Sequence, residues 1–266
     1  MPPCSVATSD DDLAAGFDQE FGRPPSAVMA RVWAAVLGDE YPAELSPYSW
    51  ISRTELADVV REGQVSAGDL LVDVGSGRGG PGLWVAARTG ADHLAVDIAE
   101  AGLEAVRETA GRLGLGGRSR TALGSFEDLP LEDATADAVM SVDSLLFTPD
   151  KAAAARELAR VLRPGGRLVL TTWDYTEQPV GRPPTGSDDG RPPGAAGFDV
   201  LRYEETQDWE RRERETCRLL LESADELAAE EGDDPAEVRD SILEMAATID
   251  AALRRVLVVA QRAGAE

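Results

Sequence analysis

The segment 70–82 constrains the fold of this chain more than any other part of its sequence. A short apolar run ends at Asp73, and the glycines that follow occupy alternate positions: Gly75, Gly77 and Gly79. This pattern predicts a buried strand over 70–74, a tight loop whose backbone lies against a ligand, and a helix that begins near Pro81. The free N–H groups of such a loop and the positive end of the helix favour an anionic group such as a carboxylate or a phosphate.

Two carboxylates accompany this loop. Asp73 places a fixed negative charge beside the N–H donors, which suits a ligand that carries both an ammonium and a carboxylate. Asp97 ends the next apolar run and can bind the vicinal hydroxyls of a ribose. The glycine spacing alone leaves a second cofactor class open, because Gly75, Gly77 and Gly80 also satisfy the G-x-G-x-x-G pattern of dinucleotide-binding folds.

Two further blocks separate these cofactor classes. The run Arg-Pro-Gly-Gly-Arg at 163–167 lies between a helical stretch and a strand, and Gly-Ser-Phe-Glu-Asp-Leu-Pro at 124–130 follows the third predicted strand. Together with the glycine loop and the acid at position 97, these blocks resemble in order and spacing the class I S-adenosylmethionine (SAM)-dependent methyltransferases. The resemblance is close over residues 50–175 and looser elsewhere.

The resemblance implies a role for each matched residue. Asp73 contacts the methionyl ammonium of SAM, Asp97 contacts the two ribose hydroxyls, and the backbone of the glycine loop approaches the methionine part. Ser125 and Phe126 meet the adenine; many relatives have an aspartate at position 125, and a neutral serine accepts a weaker hydrogen bond. The implied cofactor-binding set is Asp73, Gly75, Ser76, Gly77, Gly79, Asp97, Ile98, Ser125, Phe126 and Asp143. The expected product is S-adenosylhomocysteine (SAH).

The alternation of predicted elements indicates an α/β fold of the Rossmann-like methyltransferase type, with a seven-stranded, mostly parallel sheet and helices on both faces. Strands are predicted over 70–74, 93–97, 119–123, 137–142, 167–173, 198–203 and 256–260. A Pro- and Gly-rich loop spans 174–197, and two charged helices precede the last strand. We expect a disordered lead-in over 1–15, an N-terminal helical lid over 16–66, and a SAM-binding domain over 67–266 with a helical lid insertion at 206–253.

Composition limits the class of partner. The chain has 26 basic and 49 acidic residues and a formal net charge of −23, which repels nucleic acids and anionic lipids. It contains a single histidine and only Cys4 and Cys217, so neither a disulfide framework nor a cysteine or histidine metal site is expected. We expect no signal peptide, and no apolar run is long enough to span a membrane, so the expected location is the cytoplasm. The expected assembly is a monomer or a homodimer.

The residues that act on an acceptor are less apparent. His93 begins the second predicted strand, about 13 Å from the ligand-binding edge, and is expected to be structural. Relatives often carry a histidine just after the fourth strand, where this chain has Leu146 and Phe147. Asp143, at the end of that strand, is the best candidate for a catalytic carboxylate. The aromatic residues that can line an acceptor pocket are Tyr48, Trp50, Tyr175 and Trp209.

These features predict SAM-dependent methyl transfer to a small molecule. The proline-rich loop and the missing histidine are similar to bacterial enzymes that methylate secondary metabolites. Whether oxygen, nitrogen or carbon receives the methyl group stays open. One alternative is a SAM-binding enzyme that catalyses cyclisation or rearrangement without transfer, and a weaker alternative is a nicotinamide-dependent oxidoreductase.

Overall fold

The computed structural model of the protein describes residues 10–45, 48–175 and 197–264. In these residues the helices are α1 (Asp10–Phe21), α2 (Ala27–Leu37), α3 (Arg53–Gly63), α4 (Gly80–Thr89), α5 (Glu100–Arg112), α6 (Lys151–Val161), α7 (Trp209–Glu222), α8 (Ala224–Glu231) and α9 (Pro235–Ala251). The strands are β1 (Leu70–Val74), β2 (Asp92–Asp97), β3 (Ser119–Leu123), β4 (Ala136–Val142), β5 (Leu162–Tyr175), β6 (Phe198–Glu205) and β7 (Ala252–Arg262).

The strands form one sheet in the order β3-β2-β1-β4-β5-β7-β6. Strands β1 to β5 pair in parallel, and β7 runs antiparallel to both of its neighbours, β5 and β6. The predicted seven-stranded, mostly parallel α/β fold is therefore confirmed. Because the chain leaves β1 toward β2 on one side and β4 lies on the other, the order reverses at β1. Ligands of open parallel sheets bind in the crevice that this reversal creates at the carboxyl ends of the strands.

Successive side chains of the central strands are buried on opposite faces of the sheet. In β1, Val72 packs with Val139 on the face covered by α6, whereas Leu71 packs with Ala138 on the face covered by α3 and α4. All four side chains are at most 1% exposed. Such burial on both faces is typical of a parallel sheet between two helical layers and fixes the strand register.

Helix α3 begins with the predicted capping box. The Ser52 hydroxyl accepts a hydrogen bond from the Glu55 backbone, and the Glu55 carboxylate accepts one from the Ser52 backbone. Leu56 and Val59 of this helix are buried against the sheet, beside Met140. The expected lid over 16–66 is therefore wrong for α3, which belongs to the layers that sandwich the sheet.

Three other boundaries differ from the predictions. Helix α1 begins at Asp10, so the second part of the expected disordered lead-in over 1–15 is helical; its first part, 1–9, lies outside the described residues. Three helices, and not the expected two, precede the last strand, because the chain turns at Ser223 between α7 and α8. The expected loop over 174–197 begins later, since β5 continues to Tyr175; the stretch 176–196 lies outside the described residues.

Helices α1, α2 and α7–α9 form a cover beyond the carboxyl edge of the sheet. The Glu230 carboxylate of α8 accepts hydrogen bonds from Ser26 Oγ and from the backbone N–H groups of Ala27 and Val28, at 2.7, 2.6 and 3.2 Å. These contacts satisfy free donors at the start of α2 and place a negative charge at the positive end of that helix. The N-terminal helices and the insertion before β7 thus pack as one layer, here called the helical cover.

Candidate cofactor and acceptor site

The loop after β1 has the conformation that its glycines predict. Gly75, Gly77 and Gly79 all have positive φ angles, and Gly79 is the N-cap of α4, with Pro81 in the first turn. A Cβ atom at Gly82 would collide with the Asp73 carboxylate. The start of α4 therefore lies directly on the acid that ends β1, and only a glycine permits this approach.

Asp97 faces the glycine loop and also stabilises it through hydrogen bonds. Its Oδ2 accepts a hydrogen bond from Gly77 N at 2.7 Å, and its Oδ1 accepts one from Ala99 N at 2.9 Å. The side chain is buried at the end of β2, and burial raises its pKa. One carboxylate therefore connects the carboxyl end of β2 to the backbone of the glycine loop.

Asp73 is the more deeply buried acid, with 2% of its surface exposed. Burial and then the negative charge of Asp97 raise the pKa of Asp73 to about 7. Its Oδ2 lies 4.0 Å from Nε2 of His93, which is fully buried, and burial lowers the pKa of His93 to about 4, so the imidazole is neutral at pH 7. His93 thus lies beside Asp73, closer to the cavity than its place at the start of β2 predicts. The strand register pairs it with Leu71, and Asp73 follows two residues later on the same face of the sheet.

The polar groups of the loop match a ligand with ammonium, carboxylate and hydroxyl groups. Ser76 Oγ is buried and has no hydrogen-bond partner among the described residues. It lies in the same cavity as Asp73 and Asp97. An unpaired buried hydroxyl costs stability unless a ligand or water completes it. The whole predicted cofactor set lines this one cavity: Asp73, Gly75, Ser76, Gly77, Gly79, Asp97, Ile98, Ser125, Phe126 and Asp143.

The cavity continues from the glycine loop into an apolar part under the helical cover. Of the predicted aromatic residues, Tyr48, Trp50 and Tyr175 line it. Trp209 does not: it is buried within the cover, and its Nε1 donates to Glu205 Oε1 at 2.8 Å. The prediction for Trp209 is therefore corrected to a packing role. The remaining apolar lining residues were not predicted from the sequence; they include Met29, Trp33, Trp173, Leu220, Met245 and Ile249.

Asp143 lies at the predicted edge, but both of its carboxylate oxygens are already engaged. Oδ1 accepts from Thr171 Oγ1 at 2.7 Å, Oδ2 accepts from Trp50 N at 3.0 Å, and the guanidinium of Arg255 contacts both oxygens. Arg255 is 1% exposed and also donates to Glu55. Burial lowers the pKa of Arg255, but the charges of Asp143 and Glu55 outweigh this effect and raise it. The expected catalytic carboxylate is thus the anchor of a buried ion pair.

A different carboxylate, Glu213 of α7, lines the apolar part of the cavity. It is 2% exposed, and its Oε1 accepts a hydrogen bond from Trp173 Nε1 at 3.1 Å. Burial raises the pKa of Glu213 to about 8, although the charge of Arg255 opposes the shift. Glu213 was not among the site residues predicted from the sequence. Its signal is the position of a carboxylate on the apolar stripe of α7, between Trp209 and Cys217 at spacings of four.

The N-terminal part of the cover is attached to the glycine loop itself. The Arg78 guanidinium donates to the carbonyl oxygens of Glu20 and Arg23, at 3.0 and 2.6 Å, and so binds the C-terminal end of α1. The ring of Phe21 lies against Gly77. Helix α1 thus closes one side of the cavity, to which it contributes Leu13, Phe17 and Phe21.

Within the ranges 10–45, 48–175 and 197–264, no group of three or more His, Cys, Asp or Glu side chains is arranged to hold a metal ion. In the same part of the chain, no helix is long and apolar enough to cross a membrane.

Comparison with known proteins agrees with this geometry. Residues 72–170 match the sequence model of the methyltransferase domain. The chain is 33% identical over 129 residues to methyltransferase GfsG of Streptomyces halstedii, which covers 48% of the chain and 46% of that protein. It is 32% identical over 190 residues to the chloroplastic tocopherol O-methyltransferase of Arabidopsis thaliana, covering 66% of the chain and 54% of that protein. The chain thus spans about half the length of these curated relatives.

A solved structure extends the similarity in fold to the whole chain. The crystal structure of the cyclase SpnF superimposes with a TM-score of 0.73 at 22% sequence identity, over 98% of both chains. The matched methyltransferase domain contains the glycine loop, both buried acids and the strands that carry them. On this evidence, residues 72–170 are a methyltransferase domain, and the chain has the Rossmann-like fold of the class I SAM-dependent methyltransferases.

Proposed function

We propose that this chain transfers the methyl group of SAM to a small-molecule acceptor that binds under the helical cover. The observation that carries the proposal is the single cavity, which joins a polar half at the glycine loop to an apolar half of aromatic and aliphatic side chains. Such a cavity suits two ligands placed end to end. Methyl transfer chiefly requires that the acceptor atom, the methyl carbon and the sulfur be aligned and that water be excluded.

The polar half of the cavity would hold SAM through carboxylates, which bind its ammonium and hydroxyl groups, and through a hydrogen-bond donor, which binds its carboxylate. Asp73 would attract the methionyl ammonium, and Asp97 would accept from the ribose hydroxyls. Ser76 Oγ, which has no partner among the described residues, would donate to the carboxylate, because the N–H groups of Gly75, Ser76, Gly77 and Gly79 already donate to acceptors within the protein. Ser125 and Phe126 would contact the adenine. When bound, SAM supplies an electrophilic methyl group on a positively charged sulfur.

The apolar half would hold the acceptor. Its walls come from both flanks of the chain, with Trp33 and Tyr48 on the N-terminal side and Leu220 and Met245 on the insertion. We propose that the helical cover, whose helices α7–α9 lie within 206–253, closes over a SAM-binding domain together with residues 48–52. Helix α3 belongs to that domain. An acceptor with a large apolar surface fits these walls best.

A labelling experiment tests this function. The protein is incubated with SAM that carries a deuterated methyl group and with a panel of apolar molecules bearing hydroxyl or amine groups, and products are detected by mass spectrometry. We expect a labelled product and an equal amount of SAH. SAM binding without SAH formation from any acceptor would count against methyl transfer. Asp97→Ala, assayed in parallel, identifies product that arises from a contaminating enzyme.

The likeness to SpnF favours one second candidate, a SAM-binding cyclase that does not consume its cofactor. The structural match covers both chains almost completely, including the helical cover. In such an enzyme the bound cation would act only through its charge, and the same cavity would serve. The two functions differ in one observable, because cyclisation converts the substrate without forming SAH.

A further inference from the structure

We propose that Glu213 is the proton acceptor of the acceptor pocket, ionising opposite the sulfonium of SAM and taking the proton of a hydroxyl or amine nucleophile. This inference rests on the proposed function. It assigns a role to a side chain on the insertion helix α7, outside the blocks that bind the cofactor.

One buried guanidinium faces three buried carboxylates in this region. The donors of Arg255 go to Asp143, Glu55 and Thr206, and none of its hydrogen bonds reaches Glu213. Glu213 therefore lacks the charged hydrogen-bond partner that the other two carboxylates have. A buried carboxylate without a cation is costly, so the proton belongs on Glu213.

The groups that face Glu213 are few. Trp173 of β5 donates to it, Arg255 of β7 attracts its ionised form, and Asp143 and Glu55 repel that form. On its own helix, Cys217 lies one turn further, buried, with a pKa raised by burial and then by the charge of Glu213. None of these groups supplies an ion pair to Glu213. The addition of a positive charge to the cavity is what would shift its protonation most.

SAM brings that charge when it binds, and SAH does not. In the transfer step the methyl–sulfur bond breaks, its electron pair stays on sulfur, and the methyl carbon bonds to the acceptor atom. The acceptor's proton then passes to the Glu213 carboxylate. The positive sulfonium and the negative carboxylate thus both become neutral in a low-dielectric pocket. A general base is most effective when its pKa lies near the working pH, and burial places Glu213 in that range.

Proton-linked binding tests this role without an acceptor. Calorimetric titrations with SAM and with SAH, at pH ~8 in buffers of different ionisation enthalpy, give the number of protons released with each ligand. We expect SAM to release more than SAH in the wild type, by at most about 0.5 proton, because Glu213 is about half protonated at this pH. Relative to the wild type, Glu213→Gln should release fewer protons with SAM, by that amount, and about the same number with SAH. The amino groups of the ligands contribute equally in both proteins and cancel.

Matched variants separate ionisation from structure. Glu213→Asp retains a titratable group and should keep part of the difference, whereas Glu210→Gln, the same change at an exposed site on the same helix, should leave it at the wild-type value. Equal proton release in wild type and Glu213→Gln, with both ligands bound, would overturn the role of Glu213. Failure of both ligands to bind the wild type would instead contradict the proposed function.

Discussion

At the scale of single residues, Asp97 combines a structural role with the proposed binding of the ribose. Its two oxygens already accept hydrogen bonds from Gly77 N and Ala99 N, so its removal would free the loop and also remove the proposed acceptor of the ribose hydroxyls. A buried polar group that loses its partner costs about 1–3 kcal/mol. We expect Asp97→Ala to weaken SAM binding about tenfold or more by isothermal titration. Asp92→Ala, the same change at the opposite end of β2, should have little effect; wild-type affinity in Asp97→Ala would contradict this role.

The protonation of Asp73 should make cofactor binding depend on pH. Only the ionised carboxylate attracts an ammonium, and its pKa is raised to about 7 by burial and by Asp97. Affinity for SAM should therefore fall as the pH is lowered through about 7. SAH carries the same ammonium and should show the same dependence. Titrations over a pH series check this, and Asp73→Asn should bind weakly with a flatter profile. An unchanged slope in that variant would assign the dependence to another group.

The sequence predicted the acids that line the cavity at the glycine loop, but it did not predict Glu213, and the reason is physical. Asp73 and Asp97 end apolar runs, and parallel strands bring such ends to one edge of the sheet. Asp143 follows a strand in the same way, but its ion pair with Arg255 joins the end of β4 to β7, and the two residues are 112 positions apart in the sequence. Local patterns do not contain such a contact. The position of Arg255 therefore decides that Asp143 is paired with a cation and that Glu213 is not.

At the scale of elements, the ion pair of Arg255 joins β7 to α3 and to the end of β4. Removal of one partner from a buried pair leaves the other charge uncompensated, which costs about 3–5 kcal/mol. We expect Arg255→Met to lower the free energy of unfolding by about that amount in denaturant titrations. The neighbouring Arg254 is 38% exposed and pairs with Asp174, so Arg254→Met should cost about 1 kcal/mol or less. Equal losses in both variants would contradict the assignment.

Substitutions in the apolar walls of the cavity should affect turnover more than cofactor binding. The ring of Trp50 lines the apolar half of the cavity and lies edge-on to Trp33, with ring centroids 6.5 Å apart. With an acceptor in hand, Trp50→Ala should lower kcat/KM for that acceptor about tenfold or more and change SAM affinity by about threefold or less. Trp50→Phe retains an aromatic wall and should recover most of the activity. Equal losses in SAM binding and turnover would place Trp50 in the cofactor half.

The elements of the sheet could be predicted from alternation, whereas α1 could not. Each strand and helix from 70 to 175 has its own apolar pattern and turn residues. Helix α1 has no basic residue in its last turn, and its end is bound by Arg78, more than 50 residues later in the chain. Its stability thus depends on the glycine loop. The division of the insertion into α7 and α8 likewise reflects packing against α2 and α9.

At the scale of the whole molecule, charge and fold favour the same cofactor. The chain carries a net charge of −23, and the cavity contains two buried acids beside its glycine loop. SAM has a net positive charge, so this field attracts it, whereas the pyrophosphate of a dinucleotide meets repulsion. The glycine spacing fits both SAM and dinucleotides, and the carboxylates around the loop favour SAM.

Calorimetric titration of the purified chain with SAM, SAH and NAD compares these cofactors under one condition. We expect SAM and SAH each to bind with one molecule per chain and NAD to give no measurable heat of binding. Asp97→Ala, titrated alongside, should bind SAM and SAH more weakly. Binding of NAD with an affinity similar to that of SAM, or the absence of binding by both SAM and SAH, would contradict the assignment of this cavity to SAM.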